Sequence, residues 1–289
     1  MGVPDAGLIG LYWTLSGPVE VHYGREWSLF DFPERCAEAA RVGFRGIGIW
    51  HADLEHQLEK RGLREMRQIL DDNGLGPIEL EFLQDWFLDA DDDRRKGADR
   101  TRRMVFEAAE VLPVHHIKVG NIPGTPCSLP RLAEGFAELC ADAARHTDAK
   151  VVYELMPFDP NVNSLATVLE VVQGAGAANG GIAIDTWHMG KLRIDPEDLR
   201  TIPLEYLLWI ELSDGRLADL PDHVDETINH RELPGEGEFG VHRYVEVARD
   251  MGYAQPWGVE VLSEALRNLP MEEIFKRAYE TTAAQFNGG

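Results

Sequence analysis

Residues 150–185 read KVVYELMPFDPNVNSLATVLEVVQGAGAANGGIAID. Residues 150–155 have the β-branched and aromatic content of a buried strand. Residues 164–175 repeat apolar side chains at helical intervals, and 181–185 form a second strand-like run opened by glycine. A strand, a helix and another strand in so short a span predict a right-handed crossover between parallel strands. Reading outward, the same unit recurs along the chain. Further strands are expected at 8–14, 46–50, 78–83, 116–119, 207–212 and 258–262. Further helices are expected at 32–42, 58–72, within 91–112, and at 129–146, 196–201, 241–251 and 271–285. Eight such units predict a closed (β/α)8 TIM barrel of the α/β class, one domain over 1–289. An open doubly wound sheet is the alternative, but no G-x-G-x-x-G follows the first strand to favour it. The longest irregular stretch, 215–240, lies between strand seven and its helix, and a connection of that length is expected to be functional or mobile.

The size suits this reading, since 289 residues with 44% hydrophobic content supply the core of one large domain. A net charge of −22 argues against nucleic acid and anionic membranes as partners, because both would be repelled. No apolar run reaches the length of about 18 residues that a membrane span requires. The opening Met1-Gly2-Val3-Pro4-Asp5 lacks a basic segment and an apolar one, so no secretory signal is read. Cys36, Cys127 and Cys140 have no metal-ligand spacing and are expected to be free thiols, with Cys36 and Cys140 as small apolar fillers on helices. Together these features lead us to expect a cytoplasmic protein.

In such a barrel, side chains at the carboxyl ends of the strands converge on one mouth. Four acids fall there, each flanked by apolar strand formers: Glu154, Asp185, Glu211 and Glu260. Bare like charges repel strongly in a partly dry site, so protons, basic side chains or a metal ion must compensate them. A hard divalent cation does so directly. Mn²⁺ or Mg²⁺ suits carboxylate ligands, with Co²⁺ or Zn²⁺ as alternatives, and the expected metal ligands are all four acids. His188, three residues after Asp185, is expected to contact substrate and to be available for acid–base work. Lys118 on strand four can polarise a carbonyl or neutralise the acids. Glu81 and His51 are weaker candidates of the same kind. Trp13, Trp50 and Trp187, with Trp86 and Phe87, are placed at strand ends, where flat apolar faces suit the C–H faces of a sugar. Arg231, in a segment turned by Pro234, Gly235 and Gly237, can reach over the mouth, or form a surface salt bridge.

These residues give the chain its likeness to a known family. Glu154, the D-x-x-H of Asp185 and His188, the L-x-D of Leu212-Ser213-Asp214, Arg231 ahead of Pro234–Phe239 (PGEGEF) and the G-V-E-V around Glu260 resemble the xylose isomerase-like TIM-barrel superfamily of sugar phosphate isomerases and epimerases. The resemblance spans nearly the whole chain and is strongest over 150–286. It implies a divalent metal on Glu154, Asp185 and Glu260, proton transfer by Glu154 and Glu260, and substrate contact by His188. At the strand-seven ligand position the epimerases usually carry His, whereas this chain has Glu211. Some dehydratase members have Gln there, and xylose isomerase uses carboxylates throughout. The superfamily's DNA-repair endonucleases use many zinc-binding histidines and a basic surface, both missing here.

The expected function is therefore a metal-dependent isomerase or epimerase that removes a proton next to a carbonyl of a ketose or oxidised sugar. Two alternatives stand beside it. One is a lyase, either a keto-inositol or dehydroshikimate type of dehydratase or a C-glycoside deglycosidase on 3-oxo-glycosides. The other is a non-catalytic sugar-binding barrel. The expected partner is a small sugar-derived molecule. A homo-oligomer is possible, as is a small partner subunit for the deglycosidase. Phosphorylated substrates fit poorly, because no glycine-rich basic turn follows strands seven or eight.

Overall fold

The structure, a computed structural model, describes residues 2–3, 5–22 and 24–287. Met1 and Pro4 of the N-terminal stretch read for a signal lie outside them. Eight parallel strands run β1 Leu8–Gly10, β2 Gly46–Trp50, β3 Ile78–Leu83, β4 Val114–Val119, β5 Lys150–Glu154, β6 Gly180–Asp185, β7 Leu207–Leu212 and β8 Trp257–Val259. Each pairs with its sequence neighbour, and β1 pairs with β8 through Leu8 with Trp257 and Gly10 with Val259, which closes the barrel. The result is a single-domain TIM barrel, as the strand and helix rhythm predicts.

Helices pack outside the strands because each lays one apolar stripe on the sheet. Met66 and Leu70 of the helix Leu63–Asp72, Phe136 and Leu139 of Leu129–Ala143, and Ile274 and Phe275 of Met271–Ala284 all belong to this outer core. Local chemistry sets the helix ends. Ser164 and Thr167 form a capping box at Leu165–Ala175, Asp92 accepts from the Arg94 amide to start Asp93–Ala109, and Gly43 takes the left-handed turn (φ 116°) that ends Phe32–Val42. Between the helices Phe32–Val42 and His51–Lys60, Arg35 pairs with Asp53, both buried, and Asp53 also accepts the Ser28 amide at 3.1 Å. No helix among the described residues is long and apolar enough to cross a membrane. Cys36 and Cys140 are buried on helices, and all three cysteines are free.

Several expected boundaries move. The first strand stops at Gly10 and Tyr12–Leu15 is a short helix. The helix expected over 58–72 is two helices, His51–Lys60 and Leu63–Asp72, separated by extended Arg61 and by Gly62. The eighth strand ends at Val259, so Glu260 lies just beyond it. The long stretch 215–240 holds the helix His223–Asn229, and Asp214 and Glu232 at its two sides form an antiparallel bridge. The segment is fastened by Lys191, whose Nζ donates to Arg216 O (3.0 Å) and Ala218 O (3.4 Å) and pairs with Asp219 and Glu226.

Candidate active site

Alternation along a strand turns residues two apart to the same side. This brings Glu79 and Glu81 of β3, His116 and Lys118 of β4, and Trp209 and Glu211 of β7 inside the barrel. β4 and β7 are not neighbours, yet Lys118 Nζ donates to Glu211 Oε1 at 3.0 Å, so both side chains cross the interior. Ile9, Leu11, Val152, Ala183 and Trp209 pack together there as an apolar layer. Above it the interior becomes ionic.

Six acids are buried in that region: Glu79, Glu81, Glu154, Asp185, Glu211 and Glu260. Two fixed cations reach them. Lys118 Nζ lies 2.7 Å from Glu260 Oε1, 3.0 and 3.2 Å from the two oxygens of Glu211, 3.1 Å from Glu81 Oε2 and 4.0 Å from Glu154 Oε2. Arg231 Nη1 donates to Asp185 Oδ2 at 2.6 Å and lies 3.4 Å from Glu260 Oε2, while its Nε donates to Thr227 O at 3.0 Å. Arg231 is buried, so the surface salt bridge is excluded. His188 Nε2 sits 3.1 Å from Glu154 Oε1 and 3.6 Å from Asp185 Oδ2, and its Nδ1 has no partner. Asp185 Oδ1 accepts the Trp187 amide at 2.8 Å, which turns this acid toward the mouth at the start of the helix Thr186–Lys191.

The electrostatics divide these acids. Burial pushes the carboxyls of Glu81 and Glu211 well above the ordinary range, and the charge of Glu260 adds to the rise at Glu211. Burial also raises Glu79 and Glu260. Glu154 goes the other way. Burial opposes its ionisation, but Lys118, His188 and Arg231 outweigh it and hold the carboxyl at about 2. Lys118 is likewise buried against its charge, yet Glu154, Glu211 and Glu260 keep the ammonium form far beyond the usual lysine range.

The mouth above these groups is a narrow cleft. Its cavity is roughly 60 Å³, room for a few waters, and is lined by Trp13, Trp50, Glu81, Lys118, Glu154, His188, Arg231 and Glu260. Thr227 and Ile228 of the helix His223–Asn229 close it from above. Trp13 and Trp50 meet at a 55° tilt with ring centroids 4.7 Å apart and form one wall. Other expectations need correcting. Trp187 does not line this cavity. Its ring lies under the Arg231 guanidinium at 4.7 Å and faces a separate cleft beside Phe158 and Lys191. Trp86 and Phe87 are core residues, with Trp86 packed on Tyr153 at 5.6 Å. Asp185 and Glu211 lie behind the lining rather than in it. His51 is half-buried beside the mouth and accepts the Phe82 amide through Nδ1 at 3.3 Å.

The residues fit a divalent ion. Oxygens of Glu154, Asp185, Glu211 and Glu260 all lie within 4.8 Å of one another, and His188 shares a second such set with Glu154 and Asp185. Burial disfavours the ionised form of four of the six acids, and a divalent ion at these oxygens would favour it again. Sequence reading missed Glu79, His116 and Trp209. His116 Nε2 lies 2.6 Å from Glu79 Oε2, and the Trp209 indole donates to Glu211 Oε1 at 2.8 Å. The signal was present in the period of two that pairs each of them with a residue already singled out.

Residues 36–284 match the family model described as xylose isomerase-like TIM barrel. The chain belongs to that family. Its members include sugar isomerases and epimerases, and the relatives span isomerase and dehydratase names. A 3-dehydroshikimate dehydratase of Pseudomonas putida is 23% identical over 242 residues, which is 83% of this chain but 38% of the relative. The chain thus spans under two fifths of that protein. An inosose isomerase of Halalkalibacterium halodurans is 21% identical over 234 residues, 79% of this chain and 82% of the relative. Among solved structures, the IOLI protein with a bound zinc atom superposes with a TM-score of 0.78 at 16% identity, covering 96% of this chain and 97% of the other.

Proposed function

We propose that the chain is a divalent-metal-dependent isomerase or epimerase of a ketose or oxidised sugar, acting through an enediolate. The observation that carries this reading is the placement of Glu154 and Glu260. They come from β5 and from just beyond β8, three strands apart around the barrel, both line the cavity, and their oxygens approach within 4.8 Å. Glu154, Asp185 and Glu260 would hold the ion, with Glu211 beneath them. When bound, the ion supplies Lewis acidity at the substrate's carbonyl and neighbouring hydroxyl oxygens.

The chain's own residues do the rest. Glu154 or Glu260 takes the proton from the carbon next to the carbonyl, and the other carboxyl returns one to the same carbon in an epimerase or to its neighbour in an isomerase. The His188 contact fixes the rotamer of Glu154, and Arg231 offers guanidinium donors to a substrate oxygen. The Trp13–Trp50 wall suits the C–H face of a ring. A lyase outcome, in which the same carbanion expels a β-hydroxyl, is the second reading. The dehydratase alignment over 83% of this chain supports it.

The test is NMR in D₂O with the Mn²⁺-loaded protein and a panel of ketoses, a keto-inositol and dehydroshikimate. Deuterium entering beside the carbonyl without loss of water marks the isomerase, and loss of water marks the lyase. Glu154→Gln and Glu260→Gln should each slow exchange by about 10²-fold or more. Wild type that takes up about one ion per chain yet exchanges no proton on any of these compounds would overturn the reading in favour of a binding barrel.

A further inference from the structure

We propose that the interior holds a second cation seat, formed by Glu79, Glu81, Glu211 and Glu260, which Lys118 fills as a tethered cation. Glu211 then serves the lysine, and the divalent ion is left to Glu154, Asp185 and Glu260. The first statement stands on the geometry alone, and the second rests on the metal reading above.

An ammonium has three N–H donors. Around Lys118 Nζ three carboxylates answer them, Glu260 at 2.7 Å, Glu211 at 3.0 Å and Glu81 at 3.1 Å. The lysine is therefore satisfied by its cage and has no donor left for a substrate carbonyl, which revises the substrate-binding role expected for it. Glu211 is equally committed. Its Oε1 accepts from Lys118 and from the Trp209 indole, and its Oε2 accepts from Lys118 at 3.2 Å.

The cage has more oxygens than the lysine can use. Glu79 Oε1 and Glu81 Oε1 are buried without a hydrogen-bond partner, and Glu79 Oε1 points at the ammonium from 3.9 Å. His116 pins the other Glu79 oxygen at 2.6 Å and so aims the free one inward. Glu79, Glu81 and Glu260 carry oxygens within 4.8 Å of one another, as an inorganic cation would require. Buried acceptors left over in this way are what a ligand of higher coordination number than an ammonium would consume. Lys118 also lines the cavity, so it keeps one positive charge beneath any bound substrate that no chelator can remove.

The experiment is calorimetric titration of the chelator-stripped full chain with Mn²⁺ alone, with bound metal counted by elemental analysis. Wild type and Glu211→Gln should each bind one ion. The affinity of the variant should fall by no more than about tenfold, the low end for residues that act on a ligand rather than as one. Glu154→Gln should lose the ion. Lys118→Met should bind two. Loss of the ion in Glu211→Gln, to the extent seen in Glu154→Gln, overturns the assignment of Glu211 to the lysine. A folded Lys118→Met that still binds one ion overturns the second seat, and if that variant does not fold, Lys118→Gln is titrated in its place and read in the same way. Should wild type bind no Mn²⁺, the metal reading fails separately. Uptake of one ion by Lys118→Met then still supports the seat, and uptake of none overturns it.

Discussion

Replacing His51 by Asn should remove about 2 kcal/mol of acid sensitivity from the fold. His51 is half-buried beside the mouth, and its burial lowers its pKa from 6.5 to about 4 against the smaller opposing pulls of Glu26 and the Glu81 backbone. The unfolded chain binds a proton at this ring near 6.5, whereas the folded chain refuses it until about 4. The stability contributed by the neutral ring is therefore complete above 6.5 and is lost as the pH falls toward 4. At roughly 1.4 kcal/mol per pH unit, the full effect is about 3 kcal/mol, of which about 2 has gone at pH 5. Asn keeps an acceptor for the Phe82 amide that Nδ1 now takes at 3.3 Å, but cannot titrate. The assay is urea unfolding of both proteins at pH 7.5 and 5.0, with the His51 ring proton followed by NMR. Wild type should lose about 2 kcal/mol more than the variant between the two pH values. Equal losses, or a folded-state ring that titrates near 6.5, would refute the argument. The mouth is at stake as well, because a protonated ring loses its acceptor at Phe82, next to the point where Glu81 meets Lys118.

Two further changes test the frame that carries the site. Asp53→Ala strands the Arg35 guanidinium in the interior without its partner and should cost about 3–5 kcal/mol in chemical denaturation, since removing one half of a buried pair leaves an uncompensated charge. Gly258→Ala would place a Cβ 2.9 Å from Trp209 Cζ2 and 3.1 Å from Glu211 Cγ. It should cost about 1–3 kcal/mol and disturb the indole bond to Glu211, read as a change in tryptophan fluorescence, and an unchanged spectrum and stability would count against the packing described.

Most of the fold was legible because strand and helix differ in period and because the turns are marked. Strands β2, β3 and β7 begin and end where the apolar runs do. β1 was overrun because the apolar stretch LIGLYWT shows no period that separates strand from helix, and the chain turns at Leu11 once Gly10 has paired with Val259. The break at Gly62 carried its own signal, a glycine inside a helical pattern, which the regular spacing on either side concealed. Within the site, Glu154, Asp185, Glu211 and Glu260 were found as acids among strand formers, and the structure gathers them. The cationic side of the balance was harder to read. Lys118 bonds across the barrel to β7, and Arg231 arrives from a loop, so neither contact follows from spacing along one strand. Trp187 misled for a related reason, since being at a strand end fixes where a residue starts but not which way the following helix turns it.

The helix His223–Asn229 lines the narrow cleft above Glu154, and Lys191 and Arg193 tie its approach segment to the barrel. A substrate larger than the cleft would reach Glu154 only with that segment moved aside, and would wait for it again on leaving. Passage through this site is then paced by the friction of a moving hinge, so a thicker solvent would slow it while the carboxylates below stay as they are.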